Sequence, residues 1–324
     1  MSTRIVATGS YLPPNSIANA DLKQFPAAAL GLIEQKTGVK ARCHAGPGEC
    51  SSDLAVKAAR QCIEAAGVDP STIDGIILST SSPDRIQPAT ATRVQDLLGA
   101  RNAFAFDINS VCSGAVFGLC VADNMIKAGQ CSTILVVAAE VYSRILDPGD
   151  FSTFPYFGDG AGAVLLAADS GSSGIRRTIL RTDGSGAEVI QIPAGGTMKP
   201  IGPETTQRER SFTMNGRRVF DFAISAGQAV VKELLAAVAV KPEEIAFLVP
   251  HQANKNILSA LATGLGLPLE KVVSNLERYG NTASASVLIA FDELVRSGRL
   301  KRGDRLVLVS FGGGLSWGAN LIEW

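Results

Sequence analysis

Apolar positions along the first half of this chain alternate between helical spacing and short continuous runs. Helices are predicted at 52–66, 92–98 and 114–128, and buried strands at 73–80, 103–108 and 133–139. The helical stretches repeat their apolar residues every three to four positions, whereas the strand stretches are short and rich in Ile, Val, Ala and Phe. Strands that alternate with helices favour an α/β protein with a largely buried sheet.

The second half of the chain repeats the order of elements in the first. The turn and strand at 66–78 are echoed at 238–249, the helix end and strand at 125–138 at 294–309, and the glycine-rich segment at 158–164 at 312–319. One echo is common between βα units, but three in the same order predict two related halves. We place these halves at residues 1–170 and 171–324. A Gly-, Ser-, Thr- and Pro-rich stretch at 170–211 joins them, with room for a strand or two.

Composition and charge exclude several classes of protein. Of the 324 residues, 46% are hydrophobic and 19% charged, which is typical of a globular chain. The 30 basic residues balance the 30 acidic ones, so no excess charge indicates nucleic acid or an anionic membrane as partner. No long apolar run or signal-peptide pattern is present, and the six cysteines form no CxxC pair. We therefore expect a cytoplasmic protein with free thiols.

Cys112 is the strongest candidate nucleophile. It follows the predicted strand at 103–108 and directly precedes an apolar helix. Unpaired N–H groups and the positive end of the helix dipole would favour its thiolate, the nucleophilic form. Ser113 and Gly114 allow a substrate to approach the backbone closely. The alternative is a small buried core residue, which is what most cysteines are.

Two further side chains stand at similar junctions. His251, one of two histidines, lies where a predicted strand ends and a helix begins, the edge at which α/β enzymes bind ligands. Asn281 precedes the helix predicted at 287–295, in roughly the place that Cys112 occupies in the first half. A structural histidine and a helix N-cap are the alternatives. The glycine run at 312–314 is able to aim N–H groups at a developing oxyanion. A Cys–His–Asn set is a nucleophilic arrangement that an unrelated class of proteases also uses.

Together these residues resemble the β-ketoacyl-acyl-carrier-protein synthase III family of the thiolase superfamily. The resemblance covers essentially the whole chain and rests on short motifs in matching order at 9–13, 37–39, 112–114, 157–162, 214–216, 250–254, 280–282 and 311–314. It implies a thiolase fold, with two pseudo-repeated halves in five αβαβα layers, and a homodimer. It implies no metal and no cofactor, since the substrates are thioesters of coenzyme A and of acyl carrier protein.

The resemblance also implies a two-stage acyltransferase reaction. An acyl-CoA, or another acyl thioester, transfers its acyl group to Cys112. Malonyl-acyl carrier protein then loses carbon dioxide and condenses with the acyl-cysteine, which gives a β-ketoacyl thioester and initiates fatty acid synthesis. His251 and Asn281 would donate hydrogen bonds to the malonyl thioester oxygen. The backbone N–H groups of Cys112 and Gly313 would form the oxyanion hole for the acyl carbonyl.

Binding residues follow from the same resemblance. The pantetheine and acyl tunnel would be lined by Phe157, Gly216, Phe220 and Asn254. Gln87 lies close to the gate at the tunnel end, which the partner subunit is expected to complete through residues 82–88. The turn that binds the carrier protein would comprise Gln252, Ala253, Asn254, Lys255 and Asn256.

Two alternatives stay open at this point. Some positions depart from the better-known members, at the nucleotide end Leu32, Lys36 and Phe151, and in the docking patch Asp221, Asn256 and Thr263. They fit a specialised relative that acylates or condenses a non-standard acceptor in secondary metabolism. A non-catalytic scaffold that binds the carrier protein is the alternative of another class. It is disfavoured, because a degenerate member is expected to have lost at least one of the three catalytic candidates.

Overall fold

The computed structural model describes residues 2–171 and 173–324. In that part of the chain the strands are β1 (Ser2–Tyr11), β2 (Ser16–Ala18), β3 (Ala41–Cys43), β4 (Gly75–Ser79), β5 (Phe104–Ile108), β6 (Thr133–Glu140), β7 (Gly160–Asp169), β8 (Gly174–Thr182), β9 (Ile190–Gln191), β10 (Thr213–Met214), β11 (Ile245–Pro250), β12 (Arg305–Gly312) and β13 (Ser316–Glu323). The α-helices are α1 (Ala27–Thr37), α2 (Ser51–Ala66), α3 (Thr90–Leu98), α4 (Gly114–Lys127), α5 (Gln207–Arg210), α6 (Gly216–Ala236), α7 (Lys255–Leu265), α8 (Leu276–Tyr279) and α9 (Ala285–Arg296).

Two mixed sheets form the frame of the molecule. The first has the strand order β1-β7-β6-β4-β5, and the second has the order β8-β13-β12-β11. In both, one pair of strands is parallel (β4 with β6, β11 with β12) and the strand that follows this pair in the chain is antiparallel. A lone parallel bridge between Leu248 and Val272 stands where β5 lies in the first sheet. The repeat predicted from the sequence is therefore confirmed in the strand order, while the boundary after residue 170 stays a prediction.

The sheets and helices stack in five layers. Helices α2 and α3 cover the outer face of the first sheet, α4 and α9 lie between the two sheets, and α6 and α7 cover the outer face of the second. This is the expected αβαβα order. The buried apolar cluster between the sheets takes residues from both halves, among them Leu119 of α4 and Leu288 of α9. Each helix of the middle layer therefore packs against sheets on two sides.

Local sequence explains where the helices begin and end. The α2 helix starts in a capping box, in which the Asp53 carboxylate accepts the N–H of Cys50 at 2.9 Å, and it stops at Gly67, which has a φ of 65°. Helix α4 has few polar positions on any side, as a helix buried between two sheets requires. The predicted helices at 52–66, 92–98 and 114–128 agree with α2, α3 and α4 to within about two residues.

The stretch at 170–211 contains more structure than a linker. Its strand β8 forms an edge of the second sheet through antiparallel pairing with β13.

In the described ranges, no helix is long and apolar enough to cross a membrane. The six cysteines are free thiols. The same ranges contain no group of three or more His, Cys, Asp or Glu side chains placed to hold a metal ion.

Candidate active site

Two matching backbone turns lead into the helices of the middle layer. Ahead of α4, the Asn109 side-chain oxygen accepts the N–H of Val111 at 3.2 Å. Ahead of α9, the Asn281 side-chain oxygen accepts the N–H of Ala283 at 2.9 Å. Val111 and Ala283 have φ values of 46° and 47°, a left-handed conformation that is costly for residues with a Cβ. The two halves therefore present the same strained turn at the start of their central helix.

These turns correct one detail of the internal repeat that was predicted from the sequence. The structural counterpart of Asn281 is Asn109, and the counterpart of Cys112, which follows the strained residue, is Ser284. The sequence indicated that Asn281 occupies roughly the place of Cys112 in the repeat. In the structure it occupies the place of Asn109 instead. The sequence around residues 112 and 281 does not reveal this correspondence, because the two helix starts match in their backbone turns.

A single cavity of about 260 Å³ brings the three predicted catalytic side chains together. At its inner end lie Cys112, His251, Asn281 and Phe311; its outer end is marked by the exposed Lys36, Ser152 and Gly216. Most of the wall between them is apolar. A narrow apolar passage with a few polar groups at its end is the form expected for a site that excludes water from a reactive thioester.

His251 is held as a neutral, buried imidazole. Its Nδ1 lies 2.7 Å from the Ser286 hydroxyl oxygen, which also accepts the backbone N–H of Gln252 at 3.2 Å. Donation of the serine proton to Nδ1 would place the imidazole proton on Nε2, where it faces a ligand. Burial lowers the pKa of His251 to about 3. The ring rests edge-on against Phe311, with centroids 5.4 Å apart.

Asn281 is positioned through its backbone and its side chain. Its N–H donates to the Tyr156 carbonyl at 2.8 Å, and its carbonyl accepts the N–H of Gly158 at 3.0 Å. The side-chain oxygen is taken by Ala283, so the Nδ2 amide group is the part that remains to face a ligand in the cavity. Asn281 therefore offers the Nδ2 donors to the inner end of the passage.

The Cys112 thiol lies deeper than its position before a helix indicated. The residue is 5% exposed and belongs to an apolar cluster with Phe157 and Leu315. Burial raises the pKa of the Cys112 thiol, and the buried Glu140 carboxyl adds to that effect. The pKa is therefore raised and not lowered, as the position before a helix had indicated, because desolvation opposes the helix terminus.

The glycine loop after β12 presses directly on the Cys112 turn. A Cβ added to Gly312 would lie 2.7 Å from the backbone nitrogen of Cys112. The next residue, Gly313, is fixed through its carbonyl, which accepts the Ser316 hydroxyl at 2.8 Å. That hydroxyl also lies 2.8 Å from the Ser113 hydroxyl, so Ser316 connects the glycine loop to the turn that contains Cys112. The oxyanion hole of the Cys112 and Gly313 amides stays a prediction. Of the three glycines in this loop, Gly312 is the one among the residues that line the cavity.

Comparison with known proteins identifies the family. Family models match residues 106–184 as 3-oxoacyl-[acyl-carrier-protein (ACP)] synthase III and residues 235–324 as the C-terminal part of the same synthase. The β-ketoacyl-[acyl-carrier-protein] synthase III of Paramagnetospirillum magneticum is 43% identical over 99% of this chain and 98% of its own. The chain belongs to the 3-oxoacyl-[acyl-carrier-protein] synthase III family.

Solved structures of synthase III proteins share the fold over the whole chain. The 3-oxoacyl-[acyl-carrier-protein] synthase III from Aquifex aeolicus gives a TM-score of 0.91 at 38% identity and covers 99% of this chain and 100% of its own. The priming β-ketosynthase from the R1128 polyketide biosynthetic pathway gives a TM-score of 0.93 at 32% identity, covering 99% and 96%. The family resemblance and the thiolase fold expected from the sequence are confirmed.

The predicted tunnel residues of this synthase III chain lie in two different places. Phe157, Gly216, Phe220 and Asn254 all line the cavity that contains Cys112. Asn254 also caps α7, because its side-chain oxygen accepts the N–H of the second residue of that helix at 2.8 Å. Gln87 lies on an exposed loop and is not among the residues that line its own chain's cavity. A role for it requires a second subunit and stays a prediction.

The predicted carrier-protein turn is only partly accessible. Gln252 has no exposed surface, and its amide donates to the Pro250 and Val273 carbonyls at 2.7 and 3.1 Å. It therefore holds the turn from inside, and its predicted contact with the carrier protein is corrected. Ala253 and Asn254 are half-buried, which leaves Lys255 and Asn256 as the exposed members of the segment.

Three of the residues that depart from the better-known synthases lie at or beside the mouth of the cavity. Lys36 lines the mouth, and Leu32, on the same helix, is 38% exposed. Phe151 packs edge-on against Tyr156, with ring centroids 6.3 Å apart. Aromatic and aliphatic surface therefore borders this end of the passage, with Lys36 as the cation in its wall.

Sequence reasoning missed the residues that hold the catalytic candidates in place. Ser286 orients His251, Ser316 connects the glycine loop to the nucleophile turn, and the buried Glu140 accepts the Ser284 hydroxyl at 2.7 Å. Single serines carry no distinctive sequence signal. Glu140, a carboxyl at the end of an otherwise apolar strand, is the one whose position was visible in the sequence.

Proposed function

We propose that this chain initiates fatty acid synthesis as a β-ketoacyl-acyl-carrier-protein synthase III. It takes an acyl group from an acyl-CoA onto Cys112 and condenses it with malonyl-acyl carrier protein. The proposal is supported by the full-length similarity to synthases of that name. The observation that carries it is the cavity in which Cys112, His251 and Asn281 meet.

In the first stage Cys112 becomes acylated. The Sγ atom attacks the thioester carbonyl, the carbon–sulfur bond to coenzyme A breaks, and the thiol proton leaves with coenzyme A. Negative charge develops on the carbonyl oxygen, where the Cys112 and Gly313 N–H groups are proposed to donate hydrogen bonds. The buried position of the sulfur keeps water away from the acyl-cysteine that forms.

In the second stage a carbon–carbon bond forms. The malonyl group loses carbon dioxide, and the electron pair of the broken bond moves toward the thioester oxygen as an enolate. The His251 Nε2–H and the Asn281 Nδ2–H are proposed to donate to that oxygen. The enolate carbon attacks the acyl carbonyl, the bond to Cys112 Sγ breaks, and the released thiolate takes up a proton.

A neutral histidine suits this second stage. Because burial lowers the pKa of His251 to about 3, the ring is uncharged at physiological pH and donates from Nε2 without releasing a proton. Asn281 likewise donates without titrating. The pair is therefore suited to stabilise a developing charge over a wide pH range.

The proposal includes partners and a location. The carrier protein would approach the cavity mouth beside the exposed Lys255 and Asn256. A homodimer is part of the proposal, since the predicted role of Gln87 depends on a neighbouring subunit. A cytoplasmic location is supported by the free state of the six cysteines, which fits a reducing compartment.

The test is a two-step reaction with purified protein. Acetyl-CoA should increase the intact mass of the protein by one acyl group, and malonyl-acyl carrier protein should then remove that group and release carbon dioxide. Cys112→Ala should abolish the acylated species and keep the circular dichroism spectrum. Absence of a Cys112 adduct with every acyl-CoA and acyl-carrier donor would overturn the proposal.

A specialised role in secondary metabolism is the second candidate function. The similarity to the R1128 priming β-ketosynthase, at 32% identity, supports it, as do the departures at Leu32, Phe151 and Asn256 near the cavity mouth. Competition between acetyl-CoA and acetyl-acyl carrier protein for Cys112 separates the candidates. A strong preference for acetyl-CoA with malonyl-acyl carrier protein as acceptor would leave the fatty acid role alone. A non-catalytic scaffold is not favoured, because all three catalytic candidates share one cavity.

A further inference from the structure

A buried carboxylate joins the two halves of the molecule close to the reaction centre. Glu140 is the last residue of β6, in the first sheet, and its side chain has no exposed surface. Ser284, which is also fully buried, caps the start of α9 in the second half and donates its hydroxyl to Glu140 Oε1 at 2.7 Å. Neither residue is among those that line the cavity. Their hydrogen bond is therefore a connection between the halves that no contact with a substrate explains.

Glu140 is held firmly within its own half. The Ser82 hydroxyl donates to Oε2 at 2.5 Å, and the Ser81 hydroxyl donates to Oε1 at 3.1 Å. The backbone N–H groups of the same two serines each donate to Oε2 at 3.1 Å. Burial raises the pKa of Glu140, and the hydrogen bonds from Ser81, Ser82 and Ser284 oppose that rise. The carboxylate is a rigid anchor, since moving it would break several buried hydrogen bonds at once.

The anchor is connected to the strand that packs against the nucleophile helix. Ser81 and Ser82 follow β4, whose last residue is Ser79. A Cβ added to Gly114, the first residue of α4, would overlap the Ser79 hydroxyl, so the end of β4 lies directly against the start of that helix. The Ser284 hydroxyl also lies 3.4 Å from the Ser79 carbonyl oxygen. Ser284 is therefore held against the same structure that carries Cys112.

Ser284 is in turn part of the strained turn that contains Asn281. The Asn281 side-chain oxygen accepts the N–H of Ala283 at 2.9 Å, and Ala283, with a φ of 47°, directly precedes Ser284. A residue with a Cβ keeps a left-handed conformation only where its surroundings hold it there. The bond to Glu140 ties the end of this turn to the first half of the molecule.

We propose that Ser284, anchored by Glu140, is a positioning residue for the condensation stage and sets the place of the Asn281 amide group relative to Cys112. This inference rests on the proposed function, in which Asn281 acts in the second stage. Without the Ser284 hydroxyl the turn is free to shift away from β6, and the Nδ2 group no longer meets the enolate oxygen in the required geometry. Acylation depends on Cys112 and the start of α4, which Ser284 does not orient.

The test measures the two stages separately in Ser284→Ala. Intact mass gives the rate of Cys112 acylation by acetyl-CoA, and carbon dioxide release from malonyl-acyl carrier protein gives the rate of condensation. Condensation should slow by at least about 10-fold in kcat, with an unchanged KM for the malonyl substrate, because binding is kept and only the geometry at the enolate is lost. Acylation should stay within about 3-fold of the wild type.

Ser81→Ala is the matched control. It removes a hydroxyl donor from the same Glu140 oxygen, but on the side of β4 and not on the side of the Asn281 turn. The ratio of condensation to acylation in this variant should therefore stay within about 3-fold of the wild-type ratio. The same selective loss of condensation in both variants would contradict the inference, because the connection between the halves would not be its cause.

Failure of the inference is distinguishable from failure of the proposed function. If condensation by folded Ser284→Ala falls by less than about 10-fold, or if acylation falls as strongly as condensation, Ser284 does not position Asn281. If the wild type itself is not acylated by any donor, the proposed function fails first. Should Ser284→Ala not fold, as judged by its thermal transition, Ser284→Gly takes its place, with the same expected and contrary outcomes.

Discussion

The sulfur of Cys112 is surrounded by groups that disfavour its charged form. Apolar neighbours such as Phe157 and Leu315 remove solvent, and Glu140 contributes negative charge from behind the site. The N–H groups at the start of α4 act in the other direction, over a short range. A mostly neutral thiol in the resting protein follows from this balance, and it protects the residue from oxidation before a substrate arrives.

The pH dependence of alkylation measures this balance. A raised pKa means that the thiolate fraction of Cys112 should increase about tenfold per pH unit between pH 7 and 9, without a plateau. The rate of iodoacetamide addition, followed by intact mass, should increase in the same proportion. The Cys112→Ser variant gives the background from the other five cysteines. A rate that levels off below pH 8 would indicate a lowered pKa.

Asn281 offers a clean separation of the two reaction stages. Asn281→Ala should leave acylation of Cys112 intact and slow decarboxylation by about 100-fold or more, as loss of an oxyanion donor does. Asn281→Asp is the matched variant, because it keeps the oxygen that accepts the Ala283 N–H and lacks the Nδ2 donor. Single-turnover labelling and carbon dioxide release report the two stages. Wild-type condensation by the Asp variant would show that Nδ2 has no catalytic role.

At the scale of the element, the end of β12 sets the spacing of the site. Gly312→Ala would force its Cβ to 2.7 Å from the Cys112 backbone nitrogen. We expect acylation to fall by about 100-fold, since a shift of about 1 Å in the nucleophile has that effect. Overpacking should also lower the free energy of unfolding by about 1–3 kcal/mol. Stopped-flow acylation and chemical denaturation measure the two effects.

Gly313→Ala is the control for that change. Its Cβ would meet side-chain atoms of Val111 and Ile190 at 3.1 and 3.3 Å, and side chains move aside more easily than backbone. Acylation should therefore stay within about 10-fold of the wild type. Equal losses in the two variants would show that the loop tolerates no side chain at either position and that the contact with Cys112 is not the cause.

Element-level patterns carried most of the prediction from sequence. Apolar periodicity located α2, α3 and α4, and the strand-to-helix junctions pointed to Cys112, His251 and Asn281, which do share a cavity. The depth at which these side chains are buried was not predictable, because it depends on how the second half of the chain packs over the first. The raised pKa of Cys112 and the full burial of Gln252 are both consequences of that packing.

At the scale of the whole molecule, the middle layer joins the two halves. Leu288 of α9 is fully buried between the sheets and contacts the strand that contains Gly162. Leu288→Ala should lower the free energy of unfolding by about 2–5 kcal/mol. It should also slow condensation, because α9 follows directly from the Asn281 turn. Calorimetry should show one transition at a lower temperature.

A matched truncation in an outer layer separates stability from activity. Leu234 of α6 is also fully buried but belongs to the outer cluster of the second sheet. Leu234→Ala should cost a similar free energy of unfolding, about 2–5 kcal/mol, and leave the rates of the folded enzyme near the wild-type values. If both variants lost activity equally, or if calorimetry of Leu288→Ala showed two separate transitions, the middle layer would not couple the halves.

The paired order of the two sheets was predictable from the repeat in the sequence, whereas the role of Gln87 stays a prediction. A repeat is visible in the sequence itself, and its spacing is retained when individual residues are substituted. Gln87 lies on an exposed loop of its own chain, and its predicted role depends on a second subunit. The primer length was also hidden, because the residues that line the inner end of the cavity come from different elements.

The strained turns ahead of α4 and α9 bear on how such an enzyme arises by gene duplication. Duplication of one ancestral segment within a gene would supply both backbone turns that border the cavity. Divergence would then need to alter only side chains, giving the thiol of Cys112 after one turn and the hydroxyl of Ser284 after the other, while both turns keep an asparagine at their start. A site with two different reactive groups would evolve in this way without a new fold, because the symmetry of the repeat already places the two copies of the turn opposite one another.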